Sequence, residues 1–255
     1  MNVLVVLFVA AIGLAVGSFL NVCIYRLPRR ESLSFPASHC TSCQRSLDWY
    51  ENIPVFGWVA LGGRCRTCRA AISAMYPIVE AITAAVFVVG YVIYGLTPLL
   101  AVRVVFACAM IVLFAIDLRH HILPNAITLP GVIVGFLFSI FLPPGWLSSL
   151  IGLLAGGGIL FAVGEAYYRL RGVEGLGMGD VKMLAMIGAF LGWQLMIFTL
   201  VMASLAGSII GIALVLTRRG GMQYALPFGT FLAVGALFAA VAGEPIVTWY
   251  IGFYR

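Results

Sequence analysis

The sequence predicts an all-α polytopic membrane protein, and three observations carry that prediction. Hydrophobic residues make up 63% of the 255 residues, and the mean hydropathy is +1.10. Charged residues make up 9%, where a soluble domain carries about a quarter. The apolar residues fall in long runs, and a run of about 20 crosses a bilayer as a helix. The net charge of +6 does not point to nucleic acid. The basic residues sit in short loops beside apolar runs, where they act as topology signals.

Counting such runs predicts about eight transmembrane helices. The first covers residues 3–25. It lacks a basic stretch before it and is too long for a signal-peptide core, so it reads as a retained helix. The next two cover 76–94 and 98–116, followed by 126–142 and 146–168. A short sixth covers 181–190, a seventh 194–216 and the last 224–246. Between the sixth and seventh, Gly192 and Trp193 are the only punctuation.

The basic residues orient these spans. Arg26, Arg29, Arg30, Arg45, Arg64, Arg66 and Arg69 lie between the first two, and Arg119 follows the third. Arg169, Arg171 and Lys182 surround the loop after the fifth, and Arg218 and Arg219 follow the seventh. With eight helices these share one side, leaving Arg103 and Arg255 elsewhere. The positive-inside rule makes that side the cytosol, with both termini outside. Turns such as "LPPGWLSS" carry no charge, as short outer loops should. Three parts result: residues 1–25 as a first helix, 26–74 as a cytosolic loop, and 75–255 as a seven-helix membrane region.

The loop holds "CTSC" at Cys40 and Cys43 and "CRTC" at Cys65 and Cys68. Two C-x-x-C knuckles supply four soft ligands, which suit a closed, structural tetrahedral zinc site. So small a loop buries too little apolar surface to fold alone, and metal binding would supply the missing stability. Two disulfides are the alternative, disfavoured in a reducing cytosol. A rubredoxin-like iron site is another, since spacing does not choose the metal. His39 reads as a surface histidine. Cys23 and Cys108 read as small buried apolar residues.

The chain has three aspartates, and Asp48 lies in the polar loop. Asp117 ends the third span in "LFAIDLRHHILPN", and Asp180 opens the sixth in "GLGMGDVKM". An ionisable group at membrane depth is costly and is a functional candidate by default. Singly, Asp180 reads equally well as a helix cap, and Asp117 as a partner of Arg119. As a pair they read differently. Two carboxylates sharing one site cannot both ionise easily, and such a pair can act as general base and general acid. Gly177 and Gly179 would let a substrate backbone approach beside Asp180.

Other chemistries lack their motifs. There is no H-E-x-x-H, no G-x-S-x-G and no G-K-[ST] after the glycines. His120 and His121 read as polar boundary residues. Glu80, Glu165 and Glu174 could attract a basic peptide, but they serve more simply to neutralise nearby arginines.

Several segments together resemble the type IV prepilin peptidases, a G-x-G-D family of intramembrane aspartic proteases. "GLGMGDVKMLAMIGAFLGW" resembles the G-x-G-D segment and its D-V-K continuation. "IDLRHHILPNAIT" resembles the other catalytic segment, and "GSFLNVCIYRLPRR" the end of the first helix. The stretch from "SHCTSCQRSL" to "CRTCRAAISAMYPIVE" resembles the zinc loop. The resemblance covers about residues 10 to 215.

It implies cleavage of the basic leader of prepilins and pseudopilins at the cytosolic face of the bacterial cytoplasmic (inner) membrane. It also implies methylation of the new N-terminal amine by S-adenosylmethionine. Asp117 and Asp180 would be the catalytic pair, supported by Gly177, Gly179 and Lys182. Cys40, Cys43, Cys65 and Cys68 would hold zinc. The partners would be substrate helices entering from the bilayer, with lipid around them and no nucleic acid. Lys182 would either tune the pair or snorkel to the interface. No G-x-G-x-x-G loop marks a site for the methyl donor. Pilus assembly, type II secretion and DNA uptake all use this chemistry. The rival reading is a non-enzymatic zinc-stabilised assembly factor, or an ion-coupled transporter, whose carboxylates would sit nearer the midplane among broken helices.

Overall fold

A computed structural model describes residues 2–173, 175–217 and 226–253. Glu174, Arg218, Arg219 and Arg255 lie outside the described residues, as does residue 224, where the eighth predicted span begins. The described chain is helical, with two isolated antiparallel bridges in place of strands.

The long helices are α1 (Val3–Arg26), α3 (Met75–Tyr94), α4 (Pro98–His120), α6 (Trp146–Arg171) and α7 (Met178–Leu216). Shorter ones are α2 (Phe56–Ala60), α5 (Asn125–Ser139), α8 (Phe228–Phe238) and α9 (Glu244–Gly252). The last two join through a π-turn at Ala239–Gly243 and form one apolar run. Six runs are long and apolar enough to cross a membrane, and α5 is a shorter apolar helix.

At 39 residues α7 would measure about 58 Å, nearly twice the hydrocarbon core of about 30 Å. Gly192 divides it, at φ 79° and ψ 172°. A Cβ there would meet Ser148 Oγ at 2.5 Å and Pro144 Cβ at 3.0 Å, so both the backbone and the space require glycine. With α7 split at Gly192, the six crossing runs and α5 make up the eight apolar segments of the sequence. The sixth begins at Met178 rather than residue 181, which puts Asp180 inside its first turn. The short helix α2 within the cysteine loop has no periodic signal in the sequence.

The chain divides into two units, Met1–Val112 and Leu113–Arg255. In the first, α1 packs along α3. Gly13 and Gly17 have the G-x-x-x-G spacing that lets backbones touch. A Cβ at Gly17 would lie 2.6 Å from Glu80 Cα, and one at Gly13 2.6 Å from Ala84 Cα. Asn21 Nδ2 donates to the Tyr76 carbonyl at 3.0 Å.

The cysteine loop is tied to these helices by buried charge. The Arg26 guanidinium donates to the Ser32 carbonyl at 2.8 Å and the Pro36 carbonyl at 2.5 Å. Glu80, 7% exposed, accepts the Val55 N–H at 2.7 Å. Its carboxylate therefore holds loop backbone, and does not neutralise a nearby arginine.

Within the loop, Glu51 accepts from Arg45 Nη2 at 2.6 Å and from the Asp48 N–H at 2.9 Å. Burial opposes ionisation of Glu51. The Asp48 N–H and the Arg45 guanidinium outweigh it and hold the carboxyl below the usual carboxylate range. A lowered folded pKa stabilises the loop fully above the unfolded value of about 4.3, and the gain is lost as pH falls through the folded value. Pepsin digestion should therefore find the loop better protected in the wild type than in Glu51→Gln near pH 5. That difference should vanish as the pH falls further. Equal protection at pH 5 would contradict it.

In the second unit α6 and α5 pack on α7, and α8 packs on α7 as well. Gly152 and Gly188 put the backbones of α6 and α7 in contact, since a Cβ at Gly152 would lie 2.6 Å from the Gly188 carbonyl oxygen. Ser149 Oγ donates to the Ala189 carbonyl at 2.7 Å beside them.

Candidate active site and metal centre

Asp117 lies on the last turn of α4, within the second unit, and is 5% exposed. Its Oδ2 accepts two hydrogen bonds from Thr230: the backbone N–H at 2.7 Å and the hydroxyl at 3.0 Å. Thr230 is the third residue of α8, whose N-cap is Pro227. Asp117 therefore docks on a helix N-terminus, where unpaired N–H groups and the helix dipole favour an anion. The chain turns sharply after it. His121 has φ 52° and donates its N–H to the Asp117 carbonyl at 2.9 Å.

Asp180 is the third residue of α7 and is half-buried. Its N–H donates to the Gly177 carbonyl at 3.0 Å. Its carboxylate turns back over the Gly177 backbone, with Oδ2 3.4 Å from where a Gly177 Cβ would be. This is the geometry by which a third-position acid caps a helix. The carboxylate is also within electrostatic reach of Asp117. Capping and pairing therefore coexist at this residue.

Leu123 stands between the two supports. A Cβ at Gly179 would lie 2.9 Å from Leu123 Cβ, and one at Gly229 would lie 2.9 Å from Leu123 Cδ1 and 3.0 Å from Asp117 Oδ2. The space a side chain would take at Gly179 thus belongs to Leu123. Gly177 is exposed and free of that constraint. Lys182 Nζ donates to Asn125 Oδ1 at 2.9 Å, tying α7 to the first residue of α5.

Thr230, Gly229 and Leu123 escape sequence reasoning. Nothing within "PFGTF" separates Thr230 from other small polar residues in apolar helices, and only folding brings it 113 positions back to Asp117.

The first unit holds a separate centre. The sulfurs of Cys40, Cys43, Cys65 and Cys68 lie within 4.8 Å of one another. Cys40 to Cys68 is 3.7 Å, and Cys43 to Cys65 is 4.0 Å. Ligands about 2.3 Å from a tetrahedral zinc would be about 3.8 Å apart. All four cysteines are free.

The knuckles are built alike. Cys40 N–H donates to the Arg45 carbonyl, and Cys65 N–H to the Ala70 carbonyl, both at 2.9 Å. Gln44 and Arg69 follow at φ 58° and 59°. Each knuckle closes on an antiparallel bridge, His39 with Ser46 and Arg64 with Ala71. The N–H groups of Cys68 and Thr67 pull the Cys65 thiol down to about 6. The Ala70 N–H favours the Cys68 thiolate, but desolvation and the three neighbouring sulfurs together outweigh it and push Cys68 up to about 11. Four thiolates this close need a cation to ionise together, and the donor set fits zinc. His39 Nδ1 lies 3.0 Å from the Ala37 carbonyl, outside the tetrad.

Fold and site together define a class: a polytopic helical membrane protein with two aspartates in electrostatic reach of each other on one unit and a four-thiol centre on the other. The family follows from comparison. The Bacterial Peptidase A24 N-terminal domain matches residues 11–94, and the Type IV leader peptidase family matches residues 104–212. The prepilin leader peptidase/N-methyltransferase of Aeromonas salmonicida (strain A449) is 38% identical over 94% of this chain and 91% of its own length. Proteins of the same name from Pseudomonas putida and Pseudomonas aeruginosa are 35% and 34% identical, over 92% and 97% of this chain and 90% and 94% of their own lengths. No solved structure matches. This chain belongs to the type IV leader peptidase family.

Proposed function

We propose that this chain is a membrane aspartic endopeptidase that removes the leader of type IV prepilins and pseudopilins. In the same reading it then N-methylates the new N-terminal residue with S-adenosylmethionine. The family and the names of its relatives support the substrate class. The observation that carries the mechanism is the Asp117–Asp180 pair, with Thr230 clamping one oxygen of Asp117.

In this mechanism the ionised aspartate takes a proton from a water molecule as that water attacks the scissile carbonyl. The other aspartate protonates the carbonyl oxygen; the first then passes the proton it took from water to the leaving amine as the C–N bond breaks, and the second recovers its proton from the gem-diol hydroxyl. No covalent enzyme intermediate forms. Thr230 occupies Oδ2 of Asp117 with two donors, so Oδ1 is the oxygen left for water. Asn125 holds Lys182, so its amine serves the helix packing around the pair.

The cysteine tetrad would hold a structural zinc, whose role is to fold residues 26–74. The zinc loop and the aspartate pair would face the cytosol of a bacterial inner membrane, with both termini outside, following the arginine distribution. The membrane region from residue 75 onward would carry the hydrolysis.

Transport is less well supported. The long helix α7 breaks at Gly192, 12 residues from Asp180, or about 18 Å along the helix. Asp180 therefore does not lie at the break.

Incubating the enzyme in membranes with a prepilin, then weighing the mature pilin N-terminus, tests both activities. A cut product lacking the added methyl group would remove the second. Thr230→Val deletes the hydroxyl and keeps the N–H, so kcat for cleavage is expected to fall about 10-fold, as for one hydrogen bond to a charged group. KM should stay near the wild-type value. Gly229→Ala should cost more, because its Cβ would displace both Asp117 and Leu123. Wild-type kcat in either variant would remove Thr230 and its neighbour as positioning residues.

A further inference from the structure

We propose that the turn at residues 53–60 of the cysteine loop is a membrane anchor, inserting Ile53, Phe56 and Val59 into the headgroup–acyl boundary of the bilayer beside α3. These side chains are 40%, 68% and 62% exposed. Phe56 and Val59 lie one turn apart on the same face of α2, and Ile53 is exposed in the turn before it. The opposite face of α2 turns inward. Gly57 is buried against the Glu51 carbonyl, and Trp58 Nε1 donates to the Ile72 carbonyl at 3.1 Å. The exposed stripe is therefore held rigidly by the loop behind it.

What covers the stripe follows from where the turn is tied. The Val55 N–H is fixed to Glu80 at 2.7 Å. Glu80 is five residues into α3 from Met75, or about 7.5 Å along the axis. The turn thus lies alongside the first turns of a crossing helix. There Ile78 and Ile82 are 51% and 47% exposed. The stripe and the start of this membrane-length helix thus expose apolar side chains at the same end of α3.

Charge separates lipid from a basic peptide as the occupant. Residues 27–74 carry six arginines against three carboxylates. Even with four thiolates and one zinc ion counted, the loop keeps a net positive charge, which favours anionic headgroups over a basic leader segment. Apolar side chains beside arginines are the composition of interfacial anchors.

The test uses the full-length protein in liposomes of phosphatidylethanolamine and phosphatidylglycerol. A photoreactive benzophenone amino acid replaces Phe56 in one variant and Val59 in a second. Leu7, 61% exposed on the crossing helix α1, is the lipid-facing reference. Variants are kept only if their proteolytic pattern matches the parent. After irradiation, intact-mass measurement should find phospholipid adducts at both loop positions, with yields within about threefold of the Leu7 reference. Adducts only to an added prepilin, or to a second copy of the chain, would overturn the proposal. So would no lipid adduct at either position while Leu7 labels.

Discussion

Asp117→Asn and Asp180→Asn are each expected to lower prepilin cleavage by about 10²–10⁴-fold, the range for loss of a positioned acid or base. Each removes one proton-transferring group and leaves side-chain volume nearly unchanged. At Asp117 the change also places an amide beside the N-terminus of α8. If the amide oxygen still accepts from Thr230, the fold of the site survives and the chemistry fails. A double variant should be little worse than either single one, because the pair acts as a unit. The check is cleavage in membranes alongside the proteolytic pattern of the cysteine loop, which lies in the other unit and should not change. Full cleavage by either single variant would remove the pair as the catalytic centre.

Cys65→Ser is expected to abolish zinc binding, taking the metal from about one ion per chain to a trace. Cys65 is the most buried of the tetrad, at 2% exposure. The N–H groups of Cys68 and Thr67 point at its sulfur and favour the thiolate. Serine supplies neither a soft ligand nor a thiolate. Without metal the knuckles lose the ion that closes them, and the loop should become sensitive to protease. Cys40→Ser, Cys43→Ser and Cys68→Ser should behave alike. Cys108→Ala, in a crossing helix, should change neither readout. Elemental analysis and limited proteolysis of the purified protein read both effects. Unchanged zinc in Cys65→Ser would mean that the tetrad is not the site. A chelator applied to the wild type should reproduce the serine phenotype without altering the chain.

Legibility followed from how each feature is encoded. Charge is rare in this chain, so Asp117 and Asp180 stood out against apolar runs. The cysteine tetrad was visible because both knuckles are local, each spanning four residues. The break at Gly192 was visible as a glycine between two apolar runs. Thr230 was not, since one hydroxyl in an apolar helix costs little and follows no period. Glu80 was misread as a neutraliser of nearby arginines, because its partner is a backbone N–H 25 residues away, and sequence carries no mark for such a bond. The sequence also held no sign that Leu123 packs where a Gly179 Cβ would be.

The sequence by itself determined the membrane class, the eight apolar segments, the four-thiol centre and the two candidate carboxylates. Each of these rests on composition or short-range spacing, which the chain carries without folding. Only the tertiary structure brought the two carboxylates within electrostatic reach of each other and showed that α8 supplies both donors to Asp117. Likewise it placed Leu123 between the glycines and tied the cysteine loop to α3 through Glu80. Those are contacts between residues tens of positions apart, and they exist only once the helices have packed.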